Sequence, residues 1–397
     1  MFSPYTMASP TYPAARIVAP KIHAHFARHL AEAAERGEAG LASVPETGAI
    51  EAVIEAAFWA SLRREENYVP RISLALLSPS QSAHPLLFDA GLPLEPGKLA
   101  KVAPAVERAG IHLGVWHSDV RGGSNGHAGN SGSLHVWGTT RSIPIFCIVV
   151  EVAAPGLIVV KHHRSEEAGK FVNVAVIEGE QVKMVDENAS SLPDCPALLR
   201  SLLGFDSPAS WLDSVNVLVQ LAVSMRTHGR GGLLLVVPAS SETWRESIVR
   251  PIPYAVVPPF DELTRLARIE VEDDERRVWQ ESIEEAVEAI AGLTAVDGAT
   301  VITSDYQLLA FGAKIARRKG SPQVEQVTLT EPIEGNQPQH VNPSSLGGTR
   351  HLSAAQFVYD QRDAIALVAS QDGRFTVFAW SPCEESVHAH RVETLLL

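Results

Sequence analysis

The chain has 397 residues, a formal net charge of −13 and three cysteines, Cys147, Cys195 and Cys383. That length predicts two or three domains, because a single hydrophobic core stops growing well below it. The acidic balance argues against a nucleic-acid or anionic-membrane surface, and the scattered cysteines argue against a disulfide framework or a cysteine-based zinc site. Apolar runs such as IPIFCIVVEVAAPGLIVV are broken by Glu151 and Pro155-Gly156, too short to cross a bilayer. The opening MFSPYTMASPTYPAAR lacks the charged start and apolar block of a signal peptide. Together these features predict a cytoplasmic protein without a membrane or nucleic-acid partner.

In chain order, residues 1–20 read as a Pro-rich arm, and helical spacing covers 21–36 and 46–66. RISLALLS reads as a strand, and LEPGKLAKVAPAVERAG as a helix ending on Gly110. Two strands, IHLGVWHS and SLHVWGTT, flank the loop DVRGGSNGHAGNSGS, and four short strands follow with Pro-Gly and Glu-Gly turns. Residues 21–190 therefore predict an α+β domain with a largely antiparallel sheet. SSLPDCP is the best boundary. Beyond it come a helix (SWLDSVNVLVQLAVSMRTHG), a strand (GGLLLVVP), the extended RPIPYAVVPPF and a charged helix at about 272–292. In that helix Val278, Ile283, Val287 and Ile290 form an apolar face for a sheet. The alternation of strand and helix over 208–390 predicts an α/β domain with a mixed sheet, with a polar loop over 320–345.

Two stretches in that second domain carry candidate chemistry. Asp297-Gly298-Ala299 sets a carboxylate beside a glycine where a strand begins. Gly347-Gly348-Thr349-Arg350-His351 sets a hydroxyl, a guanidinium and an imidazole ahead of the helix SAAQFVYDQ, whose first N–H groups suit an anion. Phosphate chemistry needs such a carboxylate, cationic or backbone donors, and small residues where backbone meets ligand. Either stretch alone is also what a plain turn or helix cap supplies. The two in order, each beside an apolar strand, point to one site.

This order resembles the diadenylate cyclase family, which joins two ATP molecules into cyclic di-AMP. The matching residues are Asp297, Gly298 and Ala299, then Gly348, Thr349, Arg350 and His351, with Ser370 in VASQDGRFTVF and an early strand in HGRGGLLLVVP. The resemblance spans about 208–385. Leu352 stands where the family motif has a second arginine, and Gln371 and Asp372 stand where it has a Glu pair.

The resemblance implies a face-to-face homodimer, or a higher assembly, in which each ATP 3′-hydroxyl attacks the other's α-phosphate. It implies that Asp297, with Gly298 and Ala299, engages the 3′-hydroxyl. It implies that Asp297 and Asp372 together hold Mg²⁺ or Mn²⁺, that Gly348, Thr349, Arg350 and His351 bind phosphate oxygens, that Ser353, Ser370, Gln371 and Asp372 complete the nucleotide shell, and that Ile315 packs on adenine. The departures at 352 and 371 leave a second reading open, a nucleotide or cyclic-dinucleotide sensor that makes no product.

The amino-terminal half resembles a sensor domain placed ahead of such a cyclase, of the DACNV-like type, which implies a small-molecule effector. Its most unusual stretch brings His117, Asp119, His127 and His135 close in sequence. They form either a ligand loop, a metal site of His117, Asp119 and His135, or a plain Gly/Ser/Asn hairpin loop flanked by core residues Trp116 and Trp137.

Overall fold

The first helix starts at Pro13, and its apolar spacing explains the face it buries. The computed structural model describes residues 11–64, 68–108, 110–117, 133–163, 171–186, 217–269 and 275–397. The chain divides into two units, Met1–Val185 and Asp186–Leu397. The expected linker at 190–196, the first residues of the helix after it, Cys195, Asp119 and His127 lie outside the described residues.

In the first unit, α1 (Pro13–Glu35) buries Ala15, Val18, Ala19, Ile22 and Phe26 along one stripe. Pro13 sits in the first turn, where a missing N–H costs nothing. The Pro-rich arm expected to Pro20 is thus corrected: from Pro13 onward it is helix, and residues 1–10 lie outside the described residues. Helix α2 (Thr47–Ser61) ends short of the expected 66, where the Ser61 hydroxyl donates to the Phe58 carbonyl. The helix expected over 94–110 is split into α3 (Pro96–Val102) and a 3₁₀ turn, Ala103–Val106. Pro104 is the cause, since it has no N–H for the Ala100 carbonyl.

The strands are β1 (Ser73–Leu76), β2 (Leu86–Pro93), β3 (His112–His117), β4 (Leu134–Thr140), β5 (Ile148–Ala154), β6 (Leu157–His163), β7 (Phe171–Glu178) and β8 (Gln181–Met184). They form one sheet in the order β2-β4-β3-β1-β5-β6-β7-β8. β1 and β3 run parallel and the remaining pairs antiparallel. One face packs on α1 and α2 through Leu74, Leu113, Val115, Val150 and Ile158. The opposite face carries a smaller cluster of Ala75, Leu77, Trp137, Cys147 and Val149. Strand β2 at the edge is mostly exposed and its residues do not alternate, so periodicity carries no sign of it.

The second unit contains α4 (Val217–Thr227), β9 (Gly232–Val237), β10 (Tyr254–Phe260), α5 (Glu262–Ala267), α6 (Arg276–Leu293), β11 (Ala299–Thr303) and β12 (Leu308–Ala313). After these come β13 (Val327–Thr330), β14 (Gln339–Val341), α7 (Thr349–Asp360), β15 (Ile365–Ala369), β16 (Phe375–Ser381) and β17 (Ser386–Arg391). The sheet order is β10-β12-β11-β9-β15-β16-β17-β13-β14, with β9–β11 and β13–β17 parallel and the rest antiparallel. It is a mixed-sheet α/β fold.

Helix α7 packs Ala354, Ala355, Phe357 and Val358 against Leu233 and Leu235 of β9 and their neighbours. Leu234 and Val236 point the other way and are also buried, so the sheet is covered on both faces. Two expectations are corrected. Ile283, Val287 and Ile290 of α6 are buried, but Val278 is exposed near the helix start. Part of the polar loop over 320–345 pairs as the strands β13 and β14, the latter at the sheet edge.

Candidate functional site

Strand pairing assembles the site. β9 and β11 run parallel with Leu234 opposite Thr300, so both begin on the same sheet edge. β15 runs antiparallel to β9 with Ala369 opposite Gly232, so its last residues return to that edge. A cavity of about 480 Å³ opens there, lined among others by Asp297, Gly348, Thr349, Arg350, Ser370 and Asp372. Two stretches distant in sequence thus meet in one place.

Asp297 precedes β11, and Gly298 explains how it gets there. Gly298 has φ of +118°, and a Cβ at that position would stand 2.5 Å from the Gly312 carbonyl carbon. Only glycine lets the turn press against β12. The Asp297 side chain is 90% exposed, and its Oδ2 accepts from Lys314 Nζ at 2.5 Å. The Lys314 hydrogen bond and charge, with a smaller contribution from Arg350, hold this carboxyl below the usual carboxylate range. Lys314 is a site residue that the sequence pattern does not reveal, because GAKI reads as a strand end. The lysine's position just past β12 is legible only once β11 and β12 are paired.

Gly348 caps α7, and Thr349, Arg350 and His351 form its first turn rather than preceding it. Their N–H groups and the helix dipole favour an anion at this end. Arg350 reaches back over β9's start: a Cβ on Gly231, whose φ is +71°, would lie 2.9 Å from Arg350 Nη1. Gly231 therefore makes room for the guanidinium. The hairpin between β15 and β16 is tied by Ser370 N–H, which donates to the Arg374 carbonyl at 2.9 Å. Asp372 pairs with Arg374 at 3.4 Å, and Gln371 Nε2 donates to the Arg230 carbonyl at 3.4 Å.

Four expected site residues sit differently. His351 borders the same cavity but is 2% exposed and lies under Gly347, where an added Cβ would be 2.5 Å from its ring. Burial, then the charge of Arg391, pushes its pKa down to about 4, so at neutral pH it supports the glycine turn as a neutral ring rather than a cation. Ala299 is fully buried in the strand core and touches no ligand space. Ile315 and Ser353 line a neighbouring cavity of about 300 Å³, together with Arg317, Gln323, Leu352 and Gln356.

For Mg²⁺ or Mn²⁺ the donors present are the carboxylates of Asp297 and Asp372. Among the described residues no group of three or more His, Cys, Asp or Glu side chains could hold a metal. Two carboxylates at one cavity fit a hard cation that arrives on nucleotide phosphates, not one caged by protein ligands.

In the first unit, His117 and His135 both border a cavity of about 1190 Å³ beside α2. The β3–β4 register sets Trp116 opposite His135 and His117 opposite Leu134, so the two imidazoles leave opposite faces of the ribbon. That register does not bring them onto one ion. Trp137 is buried, with its Nε1 donating to the Leu77 carbonyl at 2.8 Å, and Trp116 packs beside it.

Residues 39–141 match the family model described as "Probable sensor domain DACNV". That match covers much of the first unit. No curated protein matches the chain. Among solved structures, a "hypothetical membrane spanning protein" from Bacillus cereus is 15% identical, over 48% of this chain and 68% of that one, with a TM-score of 0.25. A double mutant of DacA from Staphylococcus aureus is 13% identical, over 44% of this chain and 83% of that one, with a TM-score of 0.23. At these scores neither likeness bears on function. Among the described residues no helix is long and apolar enough to cross a membrane.

Proposed function

We propose that the second unit is a diadenylate cyclase, condensing two ATP into cyclic di-AMP and two pyrophosphates, under control of the first unit. The observation that carries this reading is the meeting of Asp297, Arg350, the α7 N-terminus and the 370–372 hairpin around one cavity. In this reading α7 links two parts of one nucleotide site. Thr349 and Arg350, with the first N–H groups of the helix, take the phosphates, and Ile315 and Ser353 in the adjoining cavity take adenine.

Two copies face each other, each holding one ATP. The Asp297 carboxylate orients a 3′-hydroxyl and accepts its proton as the oxygen bonds to the α-phosphorus of the opposite nucleotide. The α-phosphorus bond to pyrophosphate breaks, and Arg350 offsets the charge on the equatorial oxygens. A divalent cation bound at Asp297 and Asp372 with the phosphates would supply further charge neutralisation. Such transfers rest on positioning and charge stabilisation. The Asp297–Lys314 pair and Leu352 in place of an arginine favour a second reading, a nucleotide sensor without turnover.

The deciding experiment incubates purified protein with ATP and Mg²⁺ or Mn²⁺ and identifies products by chromatography and mass. Cyclic di-AMP formed by wild type and lost in Asp297→Asn supports the cyclase. Saturable ATP binding with no product in either supports the sensor.

A further inference from the structure

The face of the first sheet opposite α1 and α2 carries an unexpected set of polar residues. By strand alternation Ser73, His112, Glu151, Lys161 and His163 all point to this face, from the neighbouring strands β3, β1, β5 and β6. Further along those strands the same face holds Ala75, Leu77, Cys147 and Val149. Ser73, His112 and His163 are 8%, 4% and 7% exposed, so polar groups are buried where apolar side chains would pack at lower cost.

These residues are organised, not scattered. Ser73 Oγ and His112 Nδ1 are hydrogen-bonded at 2.7 Å. Lys161 pairs with Glu151, and its ammonium lies 4.7 Å from the Phe171 ring centroid. They line a cavity of about 660 Å³ whose mouth is set by Arg71, Arg108 and Arg141, from three separate segments. All three arginines are exposed, and none is ion-paired among the described residues. Four cationic side chains face two carboxylates, Glu107 and Glu151, in a chain whose net charge is −13. A local positive surplus inside a concave site focuses anions.

We infer that this cavity is the effector site of the sensor unit and binds a small organic anion through a phosphoryl or carboxylate group. The anion sits at the arginine mouth, where guanidinium forks match either group. The Ser73–His112 pair and Glu151 on the floor read a hydroxyl or amine of the same molecule. A volume of about 660 Å³ suits a metabolite-sized ligand. The cavity's role as an effector site rests on the proposed control of the second unit by the first, whereas the binding itself does not, since every residue in it belongs to the first unit.

The test uses the full chain with inorganic phosphate and succinate as probes, read by thermal unfolding and titration calorimetry. Arg350→Gln weakens the anion site of the second unit, and the arginine substitutions in the first unit then assign the remaining binding. Saturable stabilisation of Arg350→Gln by phosphate, by succinate or by both is expected, and the better probe identifies the anion class. Arg108→Gln with Arg141→Gln should weaken that binding by about tenfold or more, with circular dichroism unchanged. Binding unaffected by the double arginine substitution overturns the inference, as does the absence of stabilisation by either probe at millimolar concentration.

Discussion

Asp297 and Lys314 hold each other across the junction of β11 and β12, with Lys314 Nζ donating to Asp297 Oδ2 at 2.5 Å. The lysine keeps the carboxylate ionised to lower pH, and it also occupies the oxygen that a 3′-hydroxyl or cation needs. If Asp297 is the acceptor in catalysis, Lys314→Met raises its pKa toward the ordinary carboxylate value. The acid limb of the rate–pH profile should then move to higher pH, with the plateau rate retained or increased. An acid limb that stays in place would show that Asp297 is not the titrating group. Asp297→Asn should remove product formation while leaving the fold, because the side chain is exposed and carries no packing.

Gly231 lies against Arg350, and that contact gives the second prediction. Gly231→Ala introduces a Cβ at φ +71°, 2.9 Å from the guanidinium. Left-handed backbone costs a non-glycine residue about 1–2 kcal/mol, and the arginine must also move. Urea denaturation should show that loss of stability, and ATP affinity should fall in parallel. A variant with normal ATP affinity would separate Arg350 from the phosphates.

How much of the fold and site is legible in the residues alone depends on the range of the interactions. The strands in GGLLLVVP, DGATVIT and AIALVAS are legible as apolar runs bounded by turn residues, and the order of the two motifs points to one site, but the order in which those strands pair is not. Other features are not legible either. Lys314 meets Asp297 through a strand pairing that periodicity does not encode, and Gly231 is needed because of Arg350, more than a hundred residues away. The split of the 94–110 helix at Pro104 is readable in principle, since a proline there removes a helix hydrogen bond. His351 reads as an anion ligand because motif position says nothing about burial. The anion cavity of the first unit is invisible for the same reason: its residues are single polar positions in apolar strands.

Buried histidines predict acid lability. Burial pushes His112 and His351 down to about 4 and His390 to about 3, each from 6.5. Because the folded values lie below the unfolded one, the unfolded chain binds more protons once pH drops beneath about 6.5. Stability contributed by the neutral rings is therefore complete above that pH and is lost as pH falls toward 4, and toward 3 for His390. Each histidine adds a slope of up to about 1.4 kcal/mol per pH unit. The unfolding midpoint in urea should decline between about pH 7 and pH 5, and His390→Gln should flatten the decline for the second unit. A midpoint that does not change over that interval contradicts the burial argument.

Arg317 offers a test of how the second unit tolerates Leu352. Leu352 stands where the family resemblance places a second arginine, yet Arg317 borders the same cavity of about 300 Å³, beside Ile315 and Ser353. Arg317 is exposed and has no ion-pair partner among the described residues, so its guanidinium is free to turn toward a nucleotide. A cation delivered from the segment after β12 would then do from one side what the motif arginine does from the helix. Arg317→Ala should raise the KM for ATP, or the Kd if there is no turnover, by about tenfold. Leu352→Arg in that background should recover most of the loss, whereas in wild type it sets two like charges together and gains little. Rescue by Leu352→Arg would show that the two positions serve one group of the nucleotide. If Arg317→Ala leaves ATP affinity unchanged, the site manages without either arginine, and Arg350 carries the phosphate charge alone.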